Sequence, residues 1–162
     1  MPILPYRPPR LPPPRRRIPV FHAVPGRARS DGWTPLRQAE FIGLLAETRS
    51  VSKAAQTLGM RRETAYRLRQ RPWAESFCAA WDAALGREGM EPFKGHIRPS
   101  RKVTLPELEW RVETGLWQVI IRAGRYRGVR QKAGNSALLA LVRQSGVASL
   151  RGMNMRAGQD FQ

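Results

Sequence analysis

Residues 51–70 read VSKAAQTLGMRRETAYRLRQ, and their spacing decides the fold. Val51 to Leu58 forms one short helical run, and Gly59 supplies a position where left-handed backbone is cheap. A second run opens at Met60 or Arg61 and reaches about Gln70, where Pro72 prevents easy continuation. Ala55 is the small residue at which two crossing helices approach, and Gly59 follows four residues later. Ala54, Leu58, Met60, Ala65 and Leu68 fall at the apolar positions that lock the pair together. The remaining side of the second run then presents Arg61, Arg62, Glu63, Tyr66, Arg67 and Gln70 outward.

This is the spacing of a helix-turn-helix, which lays its second helix, residues 60–70 here, in the major groove of duplex DNA. Arg61 and Arg62, at the entering end, suit guanine edges. Glu63 suits a cytosine amine or the orientation of an arginine. Tyr66, Arg67 and Arg69 suit backbone phosphates, and Gln70 and Lys53 complete the expected set. An ordinary helical hairpin with a solvated basic face is the plain alternative.

Outward from this motif, Thr34 and Pro35 open a helix over 35–47 with an apolar face of Leu36, Phe41, Leu44 and Leu45. Beyond it, Trp73, Phe77, Trp81 and Leu85 recur every four residues, which predicts a long amphipathic helix ending at Gly86. That stripe covers the back of the motif or serves self-association, with Cys78 as a small buried hydrophobe. The expected organisation is mainly α. Residues 1–30 are a Pro/Arg-rich disordered arm, 31–86 the helix-turn-helix domain with its fourth helix, and 87–103 a linker. Residues 104–150 form a small helix–β-hairpin–helix unit, and 151–162 a frayed tail.

The arm holds seven arginines, no acid and nine of the 14 prolines, so its backbone favours an extended polyproline-like path. Arg15, Arg16 and Arg17 are its candidate phosphate contacts. In the C-terminal unit, Thr104 and Glu107 have capping-box spacing for a helix to about Thr114. LWQVII and RYRGVRQK read as two strands about an Ala123-Gly124 turn, and a helix from Asn135 or Ser136 closes at Gly146. The hairpin carries Arg122, Arg125, Arg127, Arg130 and Lys132. Arg125, Arg127 and Arg130 are further candidate phosphate contacts, although cations on edge strands also resist aggregation.

Charge supports the same partner. The 162 residues carry 29 Lys+Arg against 12 Asp+Glu, a formal +17. Residues 1–30 contribute +7, 31–72 +4, 73–91 −3 and 92–162 +9. Arginine outnumbers lysine 25 to four, which suits bidentate recognition of phosphate and guanine but also follows from a GC-rich genome. A single cysteine and two histidines leave no disulfide framework, no metal-ligand set and no nucleophile–base spacing, so no cofactor and no enzyme activity are expected. No apolar run approaches a membrane span, and no apolar segment follows the N-terminal arginines as in a secretory signal. A cytoplasmic, nucleoid-associated setting is the expectation.

DGWTP, SVSKAAQTLGM, AYRLRQRP and ESFCAAWDAAL, with Glu113-Thr114-Gly115, Val119, Gly124, Gly128 and Asn135 to Arg143, carry a resemblance over about residues 31–145. The chain resembles short bacterial helix-turn-helix proteins that look like phage small-terminase subunits. Its hairpin is more basic than that pattern, and Gly134-Asn135 stands where a tyrosine step is expected. The resemblance implies duplex DNA as partner and does not choose between roles. A transcriptional regulator is the first reading, with affinity supplied by a homodimer, the arm or both. A packaging adaptor that assembles into a higher homo-oligomer and recruits a motor is the second. A nonspecific nucleoid or RNA-binding protein is the third.

Overall fold

The computed structural model describes residues 17–26, 29–86 and 102–157, the last eleven as helix backbone only. The linker at 87–101, Arg15, Arg16 and residues 158–162 lie outside the described residues. The architecture is mainly helical with one two-stranded sheet. In chain order it runs α1 (Pro35–Thr48), α2 (Val51–Thr57), α3 (Arg62–Arg69), α4 (Glu75–Leu85), α5 (Leu105–Thr114), β1 (Leu116–Arg122), β2 (Arg125–Lys132) and α6 (Asn135–Ala157).

Local chemistry sets the boundaries of the first helices. Thr34 accepts from the Arg37 N–H, Pro35 opens α1, and Arg49 ends it in a left-handed conformation. Ser50 caps α2 through the Lys53 N–H. At the other end of α2, the Met60 N–H donates to the Ala55 carbonyl (2.9 Å) and the Gly59 N–H to that of Gln56 (3.0 Å). With Gly59 at φ 68°, this is a Schellman closure, and it aims the chain into α3.

One hydrophobic cluster holds α1 to α4 and the hairpin together. Phe41, Ile42 and Leu45 of α1, Ala54 and Ala55 of α2, Ala65 and Leu68 of α3, and Phe77 and Trp81 of α4 join Trp117 and Val119 of β1. The hairpin of the unit expected at 104–150 therefore shares the core of the unit expected at 31–86, while α5 and α6 add no residue to that cluster. Phe21, Ala23 and Val24 belong to the same cluster.

This overturns the expected extent of the N-terminal arm: residues 17–26 form a strap in which Phe21, Ala23 and Val24 are buried. Phe21 pairs with Trp117 through two backbone hydrogen bonds, 3.1 and 2.9 Å, as a one-residue third strand. The Gln38 side chain, fully buried on α1, accepts from the Val24 N–H (2.7 Å) and donates to the carbonyls of Val24 (2.8 Å) and Trp33 (3.0 Å). A side-chain amide thus stands in for a neighbouring strand. The Trp110 indole donates to the Ala23 carbonyl at 2.7 Å. The apolar segment Ile18–Val24 makes this possible inside an otherwise Pro/Arg-rich stretch.

Four smaller expectations are corrected. Trp73 is not on α4: it precedes the helix at φ 65°, and α4 has only 11 residues. The capping box does not form, because Thr104 makes no side-chain cap bond and Glu107 turns inward, fully buried, to pair with Arg111 at 2.6 Å. α6 runs through Gly146 to Ala157, since a helical glycine costs about 1 kcal/mol without ending the helix. Finally, the hairpin does not alternate simply. Ile120 opposes Gly128 while Ile121 opposes Tyr126, which leaves Arg127 as the extra residue of a β-bulge.

Candidate nucleic-acid interface

The face in question is the outer side of α3. Ala65 and Leu68 bury the inner side, and Arg61, Arg62, Glu63, Tyr66, Arg67 and Gln70 are exposed. Lys53 is exposed on α2. Arg62 and Glu63 approach to 3.6 Å with both side chains solvated, so this pair contributes little to stability.

Both ends of α3 are held from behind. At the N-terminal end, the Thr64 hydroxyl donates to the Arg61 carbonyl (2.6 Å) and accepts from the Trp33 indole (3.1 Å). Trp33 stands edge-on to Phe41, so the start of α3 is fixed to α1. At the far end, Arg69 makes a fork to Asp82 of α4 at 2.8 and 3.2 Å, and its guanidinium lies 5.1 Å from the centre of the Trp81 ring. The Cys78 thiol donates to the Arg69 carbonyl (3.5 Å), and burial pushes that thiol up from its ordinary range.

Arg69 is therefore placed differently from its sequence expectation. With its side chain only 14% exposed and both ends of its fork occupied, it anchors α3 instead of meeting solvent. Tyr66 keeps an exposed edge while its ring rests 5.6 Å from Trp81, which limits its rotamers. Arg71, absent from the expected set, is exposed next to α3 and donates to the Pro25 carbonyl of the strap (3.1 Å).

The other expected phosphate contacts lie apart from α3 in the chain. Arg17 is exposed at the start of the strap, and Arg125, Arg127 and Arg130 are exposed on β2. The hairpin is seated on α1: the Tyr126 N–H donates to Glu47 at 2.8 Å, and the Tyr126 ring occupies the space a Cβ at Gly43 would take.

The strap also carries a group whose partners no local pattern announces. His22 sits half-buried, its backbone N–H donating to Ser76 (3.0 Å) and its Nδ1 3.1 Å from the Gly115 carbonyl. A carbonyl only accepts, so Nδ1 carries the proton. Burial, and then the Arg111 charge, lower the His22 pKa below 6.5, against the raising influence of the Gly115 bond and Glu107.

Among the described residues, no cluster of His, Cys, Asp and Glu is arranged to hold a metal, and no helix is long and apolar enough to cross a membrane. Comparisons with protein-family models, curated proteins and solved structures yield no match.

Proposed function

We propose that this chain binds duplex DNA, with α2 and α3 acting as a helix-turn-helix and α3 as the reading helix, and that it works as a transcriptional regulator. The observation that carries the reading is the two-sided character of α3. Three arginines, a tyrosine, a glutamate and a glutamine face solvent on a helix whose other side is locked by Ala65, Leu68 and Arg69. A helix held rigidly from behind can present donors to base edges without an ordering cost at binding. Arg61 and Arg62 take guanine edges, Arg67 and Tyr66 take phosphates, and Lys53 adds a contact from α2. One such motif buries little surface, so a useful operator would present two half-sites about 34 Å apart to a dimer.

Selection of bound sequences from random duplexes at two salt concentrations tests this. The expected result is an enriched motif, with Arg61→Ala and Arg62→Ala each costing about 1–3 kcal/mol on the best site and relaxing preference at one position. Absence of enrichment would sink the regulator reading.

A small-terminase-like packaging adaptor is the second reading. It is favoured by Leu138, Leu139 and Val142, three large apolar side chains left exposed on α6 where an oligomer could cover them. Mass photometry separates the two: a large closed ring supports the adaptor, and a monomer or dimer excludes it.

A further inference from the structure

We propose that the β1–β2 hairpin is a second DNA contact, a rigid wing whose outer face grips the phosphate backbone while α3 lies in the groove. Residues 116–132 contain five cations and no acid. In plain alternation Arg125 and Arg127 would share a face with Val129, while Arg130 and Lys132 would point with Tyr126 toward the core. The bulge at Arg127 reverses the phase of everything after it. Val129 then packs against the core with Tyr126, Ile121, Val119 and Trp117, while Arg130 and Lys132 emerge on the side of Arg122 and Arg125. One inserted residue thus puts Arg122, Arg125, Arg130 and Lys132 on one face, with Arg127 at the bulge itself.

The arrangement is unfavourable for the protein alone. Arg122 is directly opposite Arg125 across the two-residue turn, and like charges so placed repel. No ion pair among the described residues reaches Arg122, Arg125, Arg127, Arg130 or Lys132. Of the α1 carboxylates, Glu47 is exposed and accepts from the Tyr126 N–H, and the Glu40 charge acts on the Tyr126 hydroxyl; neither forms an ion pair with a hairpin cation. Protection of an edge strand needs scattered cations and gains nothing from opposing two of them. A row of phosphates explains the opposition, because each arginine can fork onto a separate phosphate oxygen.

The wing is also held in one attitude. Tyr126 sits over Gly43, Glu47 accepts from the Tyr126 N–H, and α1 carries both the hairpin and α2. The choice of duplex DNA as the polyanion rests on the reading of α3; the existence of an anion-gripping face does not.

The test is binding of the full chain to a labelled random-sequence duplex and to its selected site across a salt series. The proteins compared are the parent, Arg122→Gln/Arg125→Gln/Arg130→Gln, and Arg61→Ala/Arg62→Ala. Loss of three phosphate contacts should reduce the slope of log K against log[salt] by about 2.7. Raising salt from about 50 to about 200 mM then weakens the hairpin variant roughly fortyfold less than the parent, with its preferred sequence unchanged. The free Arg125→Gln protein should melt higher than the parent at low salt, because the opposed cations are relieved. An unchanged slope, or a lower melting temperature for Arg125→Gln, overturns the wing. If the slope falls but the α3 variant keeps parental sequence preference, the wing stands and the reading of α3 fails. If no duplex is bound at all, both fail.

Discussion

Replacing Gln38 by leucine tests whether the strap is held by a side chain acting as a strand. The amide makes three hydrogen bonds, at 2.7, 2.8 and 3.0 Å, two of them to the N–H and carbonyl of Val24. Val24 is fully buried, so water cannot replace what Leu removes. Each orphaned backbone group costs about 1–3 kcal/mol, or about 4 kcal/mol for the two. The Trp33 carbonyl belongs to a half-buried residue that water can reach, and adds little. Burying the leucine recovers about 2 kcal/mol, so the net loss is about 2 kcal/mol, read as a lower urea midpoint with unchanged m. Hydrogen exchange should accelerate at Phe21 and Val24 before it does so in α1, because the strap loses its partner first. Gln38→Glu sharpens the test. A carboxylate still accepts from Val24 but faces two carbonyl oxygens, so its folded-state pKa rises above the ordinary value of about 4.3. A raised carboxyl pKa stabilises below its unfolded value and loses that stability as pH rises, so this variant should fall furthest behind the parent at neutral pH. A leucine variant within about 0.5 kcal/mol of the parent, with unaltered exchange at Val24, would refute the reasoning.

Three further outcomes follow from contacts already described. Gly43→Ala puts a methyl group into the Tyr126 ring and should cost about 1–3 kcal/mol by chemical denaturation, most of it recovered when Tyr126 is also shortened to leucine. Asp82→Asn unpairs a guanidinium only 14% exposed and should lower stability by about 1–3 kcal/mol, less than for a fully buried pair because Asp82 is partly solvated; urea melts of the two variants and the double mutant Arg69→Met/Asp82→Asn measure the coupling. His22 binds a proton less readily in the folded chain than in the unfolded one, so its contribution is complete above pH 6.5 and declines as pH falls below that value; melting temperatures between pH 7.5 and 5 should drop less steeply in His22→Gln.

Much of the helical half was legible because its signals are local. The Gly59 turn, the Thr34 cap and the Gly86 stop each depend on a few consecutive residues. What escaped was set by distant partners. Phe21 is buried because Trp117, nearly a hundred residues later, offers it a backbone edge. Composition averaged over residues 1–30 concealed that apolar segment beneath prolines and arginines. Arg69 has the helical phase of a rim cation, and only the position of Asp82 on α4 draws it inward. The Arg127 bulge is similar: RYRGVRQK can be threaded with either phase, and packing Val129 against the core selects the bulged one. Of the α3 residues singled out by spacing, six are exposed, and one serves the fold.

That division on α3 has an energetic consequence. Arg61, Arg62, Arg67 and Gln70 are exposed and, apart from the weak Arg62–Glu63 pair, have no ion pair among the described residues. Substituting them should change stability by no more than about 0.5 kcal/mol. Arg69, Thr64 and Trp33 hold the same helix by hydrogen bonds to other elements, so substituting those changes stability directly. The two groups lie within one turn of each other, yet their effects on binding should differ in kind. On the proposed reading, loss of an outward arginine would remove a contact at one base pair or phosphate and leave the rest in register. Loss of the Asp82 fork lets the end of α3 shift, which weakens every contact made from that end at once. Measured together on a selected duplex, substitutions of Arg61 and Arg62 should change which base is preferred at a position, and loss of the Arg69–Asp82 fork should lower affinity across all sequences with preference retained.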